Sequence, residues 1–285
     1  MTGSALLFHL SDLHFGLEDR RALDWAKREI ARKRPDAVAI TGDLTMRARH
    51  REFTAACEWI SSLDVPVTVE VGNHDMPYFN LIERFTTPYK RFRAIKSLVE
   101  AEIDLPDIAI VPLKTAVAAQ PRLNWSKGWV TDRALRKCLA AIDALPEGTQ
   151  ALVAVHHPLR EVGTQGTALT KHGQKALTEL ARRPVLGVLS GHVHDAFDLV
   201  QDTANGPVRM IGAGTLSQRL RSTPPGFNEL HWDGETLAVR VRNLEHIETA
   251  DMLIEDVPED AHPPREPDEP VAPVHFVPPT DPPVH

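Results

Sequence analysis

The sequence predicts an α/β (or α+β) fold whose first half is built from βαβ units and whose last third closes with antiparallel strands. Three observations point there. Short apolar runs alternate with segments of helical spacing from residue 5 to residue 71, which is the pattern of βαβ packing. Each of those runs is followed by a polar motif, Asp12-Leu13-His14, Gly42-Asp43 or Gly72-Asn73-His74-Asp75, and ligands of such sheets gather beyond the carboxyl ends of the strands. Two hairpin signals, Asn205-Gly206 and Asp233-Gly234, fall in the last third.

Taken in order, residues 5–11 read as a buried strand. A helix follows at 20–33, with Leu23, Ala26 and Ile30 on one face and Pro35 as its stop. Ala37 to Thr41 is a second strand, 48–62 a second helix and Val65 to Val71 a third strand. Residues 76–106 loosen into a stretch rich in Arg, Phe and Tyr: a helical surface piece, or a cap that lends aromatic and cationic groups to a substrate, with the cap region reaching 130. Strand-like 108–117 comes next, and Thr131 is placed to cap a helix whose apolar face carries Ala134, Leu135, Cys138, Leu139 and Ile142. Ala151 to Val155 ends in His156-His157-Pro158, a helix spans 170–182, and Val185 to Leu189 ends in Gly191-His192-Val193-His194. No internal repeat has a fixed period.

The net charge of -7 is unevenly placed. Residues 251–285 hold nine acids and Arg265, a balance of -8, which leaves 31 basic and 30 acidic residues in the body. A near-neutral body lacks the basic stripe of a duplex nucleic-acid binder. Ten of the 23 prolines lie beyond residue 256, so 257–285 is expected to be a Pro-rich acidic tail outside the folded domain of residues 1–256. No apolar run reaches membrane-spanning length and the N-terminus carries no basic leader pattern, so a cytoplasmic protein without a membrane partner is expected. Cys57 and Cys138, both in helical segments, are expected to be reduced core residues.

The chemistry concentrates at the strand ends. A carboxylate at the exit of a buried strand costs several kcal/mol unless a cation or donor meets it, and Asp43 stands in that position. Asp12 and His14 share parity, as do His192 and His194, so an extended chain would point each pair to one side. Asn73 offers an oxygen, the histidines nitrogen, and Gly191 allows close backbone approach. Mixed imidazole, carboxylate and amide donors without thiolate suit Mn, Fe, Zn or Co. Other histidines take ordinary roles: His9 and His231 are expected to be packed or hydrogen-bonded, and His50, His172 and His246 to lie at the surface. Gly212-Ala213-Gly214-Thr215 lacks the lysine of a phosphate loop and reads as a backbone turn near the site.

The series Asp12-x-His14, Gly42-Asp43, Gly72-Asn73-His74-Asp75, His156 and Gly191-His192-x-His194 resembles the calcineurin-like metallophosphoesterases over about residues 5–215. The wording His9-Leu10-Ser11-Asp12-Leu13-His14 and His156-His157-Pro158 is most similar to the bacterial cyclic-nucleotide and glycerophosphodiester phosphodiesterases. The resemblance implies a two-sheet β-sandwich flanked by helices. It implies two divalent metal ions, one held by Asp12, His14 and His194, the other by Asn73, His156 and His192, with Asp43 as the bridge. His157 would face the substrate or pack nearby. Such a pair of ions activates a shared water for attack on a phosphodiester, with His74 assisting the leaving oxygen and Asp75 holding the His74 ring. The expected substrate is a small phosphodiester of cyclic-nucleotide or glycerophosphodiester type. A phosphomonoester, a pyrophosphate linkage or a nucleic-acid end is the alternative, and a non-catalytic scaffold would be expected to have lost ligands that this chain keeps. Family and tail together suggest a homodimer.

Overall fold

The computed structural model describes residues 3–122 and 124–244. The expected tail at 257–285, the domain limit at 256 and His246 lie outside the described residues. Ten strands and six helices run in the order β1 (Ala5–Leu10), α1 (Arg20–Lys33), β2 (Ala37–Ile40), α2 (His50–Ser61), β3 (Val67–Val69), α3 (Leu81–Thr86), α4 (Lys90–Val99), β4 (Ile108–Pro112), α5 (Asp132–Asp143), β5 (Gln150–Ala154), α6 (Gly173–Leu180), β6 (Val185–Ser190), β7 (Phe197–Thr203), β8 (Gly206–Gly212), β9 (Gly226–Trp232) and β10 (Leu237–Asn243).

They form two five-stranded mixed sheets, ordered β10-β9-β1-β2-β3 and β4-β5-β6-β8-β7. β1, β2 and β3 pair in parallel, as do β4, β5, β6 and β8, while β9 and β10 extend one sheet and β7 the other by antiparallel pairing. Strand parity assigns the layers. Phe8, Leu10, Val38 and Ile40 pack with Trp25 and Ile30 of α1 and with Phe53 and Ile60 of α2. The alternate residues Leu7, Ala37 and Ala39 meet Leu152, Leu189 and Ile211 of the other sheet, and Val153, Val188 and Met210 turn outward onto α5 and α6. The two sheets therefore face one another with helices outside each, the sandwich that the family resemblance implies.

Local chemistry explains the element limits. α1 starts at Asp19, whose carboxylate accepts from the Ala22 N–H, and ends at Arg34 in the left-handed region at φ 47°. Thr131 caps α5 by accepting from the Ala134 N–H at 3.2 Å. α6 begins at Gly173 rather than 170, because His172 stands at φ 61° and cannot be helical. The β4 strand stops at Pro112, short of the expected 117. The β7–β8 turn centres on Ala204 and Asn205, one residue before the predicted pair. Within 76–106 the chain forms α3 and α4; Phe92 is buried, while Tyr78, Phe79 and Phe85 are exposed. Both cysteines are free, Cys138 buried and Cys57 half-buried.

Candidate metal centre

The predicted ligands meet where β1, β2, β3, β5 and β6 end, but the backbone brings them there differently from the expectation. Asp12, His14, Asp43, His192 and His194 stand at φ 55°, 47°, 53°, 67° and 62°, in the left-handed region. Neither Asp-x-His nor His-x-His is extended, so parity does not aim these side chains. Each strand breaks into a tight turn as it leaves the sheet, and backbone bonds between neighbouring loops hold the turns: the Asp12 N–H donates to Gly42 O at 3.1 Å and the His14 N–H to Asp43 O at 2.9 Å. A non-glycine residue in this region costs on the order of 1 kcal/mol or more, and such strain clusters at functional sites.

One group comprises Asp12, His14 and His194, all buried. His194 donates from Nδ1 to the Arg219 carbonyl and His14 from Nδ1 to the Thr45 carbonyl. In the neutral tautomer each ring then presents an Nε2 lone pair, and these two atoms lie 3.2 Å apart, that of His14 also 3.3 Å from Arg219 Nη1. Asp12 Oδ1 is 3.1 Å from His194 Nε2 and 3.6 Å from His14 Nε2, yet it has no hydrogen-bond donor. Three lone pairs that repel one another in a dry site fit a cation. Asp12 Oδ2 is held by the Ser11 hydroxyl at 2.6 Å and the His192 N–H at 2.8 Å, and the Asp12 carbonyl accepts from Thr215 Oγ1 at 2.7 Å, which gives the Gly212–Thr215 turn a place under the site.

The second group centres on His156. Its Nδ1–H donates to the Thr41 carbonyl at 2.8 Å, which turns Nε2 toward Asn73 Oδ1 at 3.1 Å and Asp43 Oδ2 at 3.3 Å, where it carries a proton in the charged ring and offers a lone pair in the neutral one. Burial pushes the His156 imidazole down, but Asp43 and Asp12 win and raise it to about 9, a field that asks for positive charge. The His192 ring stands edge-on to it, centroids 5.1 Å apart. Asp43 Oδ2 also lies 3.8 Å from His14 Nε2, so one carboxylate oxygen looks into both groups, while Oδ1 accepts the His74 N–H at 2.8 Å. The donor set therefore fits two cations that share Asp43.

One predicted role changes, and one left open is decided. Asp75 does not touch the His74 ring. Its carboxylate accepts the N–H groups of Leu44, Thr45 and Gly72 and the Thr45 hydroxyl, tying the Asp43 turn to the Asn73 turn. The His74 ring is oriented instead by the Met46 carbonyl, 2.8 Å from Nδ1. The His157 ring lies against the site, its centroid 4.4 Å from that of His192 and a ring nitrogen within 4.8 Å of those of His156 and His192, but both its nitrogens are engaged elsewhere. Its Nε2–H donates to Ser126 O at 2.8 Å, so Nδ1 is the acceptor and takes the Thr115 hydroxyl at 2.9 Å. Burial, with His192 and His156 nearby, holds the ring well below its ordinary pKa, so it is a packed, neutral support for the Ser126 loop.

Sequence reasoning missed Arg219. Its Nη1 lies 3.0 Å from His74 Nε2 and 3.3 Å from His14 Nε2, and nothing in the local spacing of a loop arginine signals this. Arg219 also lines a cavity of about 190 Å³ with Lys127, Gln165, Thr167 and Arg221. A second cavity of about 560 Å³, lined by Tyr78, Leu81, Arg84, Asn124 and Trp125, shares Asn73, His74 and Ser126 with the first. Arg84 is buried, donates to the carbonyls of Ala118 and Pro77, and lies 5.3 Å from the Trp125 ring centroid.

Residues 6–196 match the model of the calcineurin-like phosphoesterase family. A probable glycerophosphodiester phosphodiesterase of Arcobacter nitrofigilis is 28% identical over 56% of this chain and 57% of its own length. A probable cyclic nucleotide phosphodiesterase of Pseudoalteromonas sp. is 26% identical over 66% of this chain and 71% of its own. The chain thus spans little more than half the length of the first of these relatives. Among solved structures, a dimetal phosphatase from Danio rerio superposes with a TM-score of 0.63 at 13% identity, covering 84% of this chain and 96% of that one. A purple acid phosphatase from yellow lupin gives 0.60 at 18%, covering 85% and 52%; both are likenesses of fold. The chain belongs to the calcineurin-like phosphoesterase family, a class of metal-dependent phosphoester hydrolases.

Proposed function

We propose that the protein is a binuclear metal-dependent phosphodiesterase acting on a small phosphodiester. The observation that carries this reading is the shared Asp43 oxygen, 3.3 Å from His156 Nε2 and 3.8 Å from His14 Nε2, with both rings locked by backbone carbonyls so that their lone pairs face it. Asp12, His14 and His194 would hold one ion, Asn73, His156 and His192 the other, and Asp43 both; the donor set suits manganese, iron, zinc or cobalt. Ions bound there supply an activated water and neutralise charge on the phosphoryl oxygens.

The chain's own residues do the rest. His74, with Nδ1–H fixed on Met46 O, presents Nε2 to the site; in its doubly protonated form that Nε2–H is placed to pass a proton to the leaving oxygen, after which the neutral ring accepts from Arg219. Arg219 Nη1, beside it, binds a phosphoryl oxygen. A diester has two substituents, and the two cavities diverge from a shared Asn73, His74 and Ser126, one walled by Tyr78 and Trp125, the other by Lys127 and Arg221. Residues 76–130 therefore serve as a cap over one arm. The names of the relatives, glycerophosphodiester and cyclic nucleotide phosphodiesterases, agree with a diester over a monoester.

The test is nitrophenol release from bis(p-nitrophenyl) phosphate alongside the monoester, with metal content measured on the same preparation. His74→Ala should lower kcat by about 10²–10⁴ while the metal content stays at the wild-type value. Metal-replete protein that releases no nitrophenol from either ester would end this reading.

A further inference from the structure

A third cavity, of about 460 Å³, opens between the edge strands of the two sheets and shares no lining residue with the two at the metal centre. Glu70 and Val71 after β3, Tyr89, Phe92 and Arg93 around α4, Lys114 after β4, and Arg133 and Lys137 of α5 form its walls. Part of the Arg, Phe and Tyr stretch that the sequence singles out thus faces here and not the metal site.

The charge in this cavity is one-sided. Glu70, the acid in the lining, is buried and 3.3 Å from Lys96, which also binds Val69 O at 2.6 Å and Glu100 at 2.8 Å. That pair is satisfied without the rest. Arg93, Lys114, Arg133 and Lys137 make no side-chain hydrogen bond or ion pair with any described residue. Lys114 Nζ sits 4.1 Å and Arg93 Cζ 5.8 Å from the Tyr89 ring centroid. Burial first, then Arg93, Arg133 and Lys137, hold the Lys114 amine below its ordinary pKa. Four cations from three separate elements therefore point repulsion into one concavity, in a body whose overall charge is near neutral. All four are exposed, and together they line one cavity of the size that small ligands fill.

We propose that this cavity is a second anion site, for a small phosphate-bearing molecule with at least two negative charges. The two arginine forks match phosphate oxygens, and Lys114 and Lys137 add point charges on the remaining sides. The inference stands apart from the phosphodiesterase reading and holds or fails without it.

The probe is pyridoxal 5′-phosphate on the metal-replete protein. Its aldehyde carbon condenses with a lysine amine, releasing water to form an imine, and borohydride reduces the imine to a stable secondary amine that peptide mass spectrometry locates. With the phosphate held by Arg93 and Arg133, Lys114 is expected to be labelled at least five-fold above exposed Lys90 and Lys175. Inorganic phosphate should protect it, and Arg133→Ala/Lys137→Ala should reduce its labelling at least five-fold. Those two side chains make no bonds within the fold, so the double variant leaves it intact. Lys127, in the cavity beside the metal centre, reports on that site separately. Labelling of Lys114 no greater than that of Lys90 and Lys175, or unchanged in the double variant, would overturn the proposal.

Discussion

A methyl group added at Gly191 would collide with the Ser11 hydroxyl and the Asp12 carboxylate, which is why the residue before His192 carries no side chain. Gly191→Ala is expected to cost about 1–3 kcal/mol in urea denaturation, as overpacking does, and to lower metal occupancy, because Asp12 Oδ2 is fixed by the Ser11 hydroxyl and the His192 N–H that the methyl group would displace. Arg219 makes the complementary case, a residue defined by what it reaches. Arg219→Met keeps much of the stem and removes the guanidinium. Hydrogen bonds to charged groups contribute about 1.5–3 kcal/mol, so kcat/KM for bis(p-nitrophenyl) phosphate should fall about 10- to 100-fold, with metal content unchanged. The ligand types were legible one by one because chemistry restricts them to His, Asp and Asn. The role of Asp75 was not, since adjacency to His74 in sequence says nothing about which backbone N–H groups a buried carboxylate will find.

Strands β1, β2, β5 and β6 were legible as apolar runs, and so were α1 and α5 from their periodicity and caps. The turns at the ends of those strands were not. Five of the proposed ligand positions are left-handed, and a residue's φ there is imposed by the pairing of neighbouring loops, such as His14 N–H to Asp43 O, which no local propensity encodes for His or Asp. The cap of α5 is a simpler case: Thr131 satisfies the Ala134 N–H, and α5 covers the second sheet through Leu135, Cys138 and Ile142. Thr131→Ala is expected to destabilise the protein by about 1 kcal/mol, read as a shift in the urea midpoint with an unchanged slope, and to leave turnover alone.

Across the whole molecule, the two sheets are joined by an apolar layer that turns polar beneath the metal centre. His9 is fully buried there, with Thr41 Oγ1 3.0 Å from Nε2 and Asn228 Nδ2 3.4 Å from Nδ1. Burial outweighs the opposing pull of Asp12 and pushes the His9 pKa down from 6.5 to about 3. Below pH 6.5 the unfolded chain takes up a proton at His9 that the folded state refuses until about pH 3. Stability is therefore retained above 6.5 and falls as pH drops through that window. Replacing His9 with glutamine should remove about one proton from the acid-side slope, or about 1.4 kcal/mol per pH unit, measured by urea denaturation of wild type and variant between pH 6.5 and 4.

By itself the sequence determined the order of elements through β6 apart from α3 and α4, the donor types and the family, because apolar periodicity and metal-binding chemistry each act over a few residues. Only the tertiary structure decided between the two roles open to His157, gave Asp75 its backbone partners, set Arg219 beside His74 and gathered unpaired cations between the sheet edges. Those facts depend on distances between segments far apart in the chain, and such distances exist only once the two sheets have packed face to face.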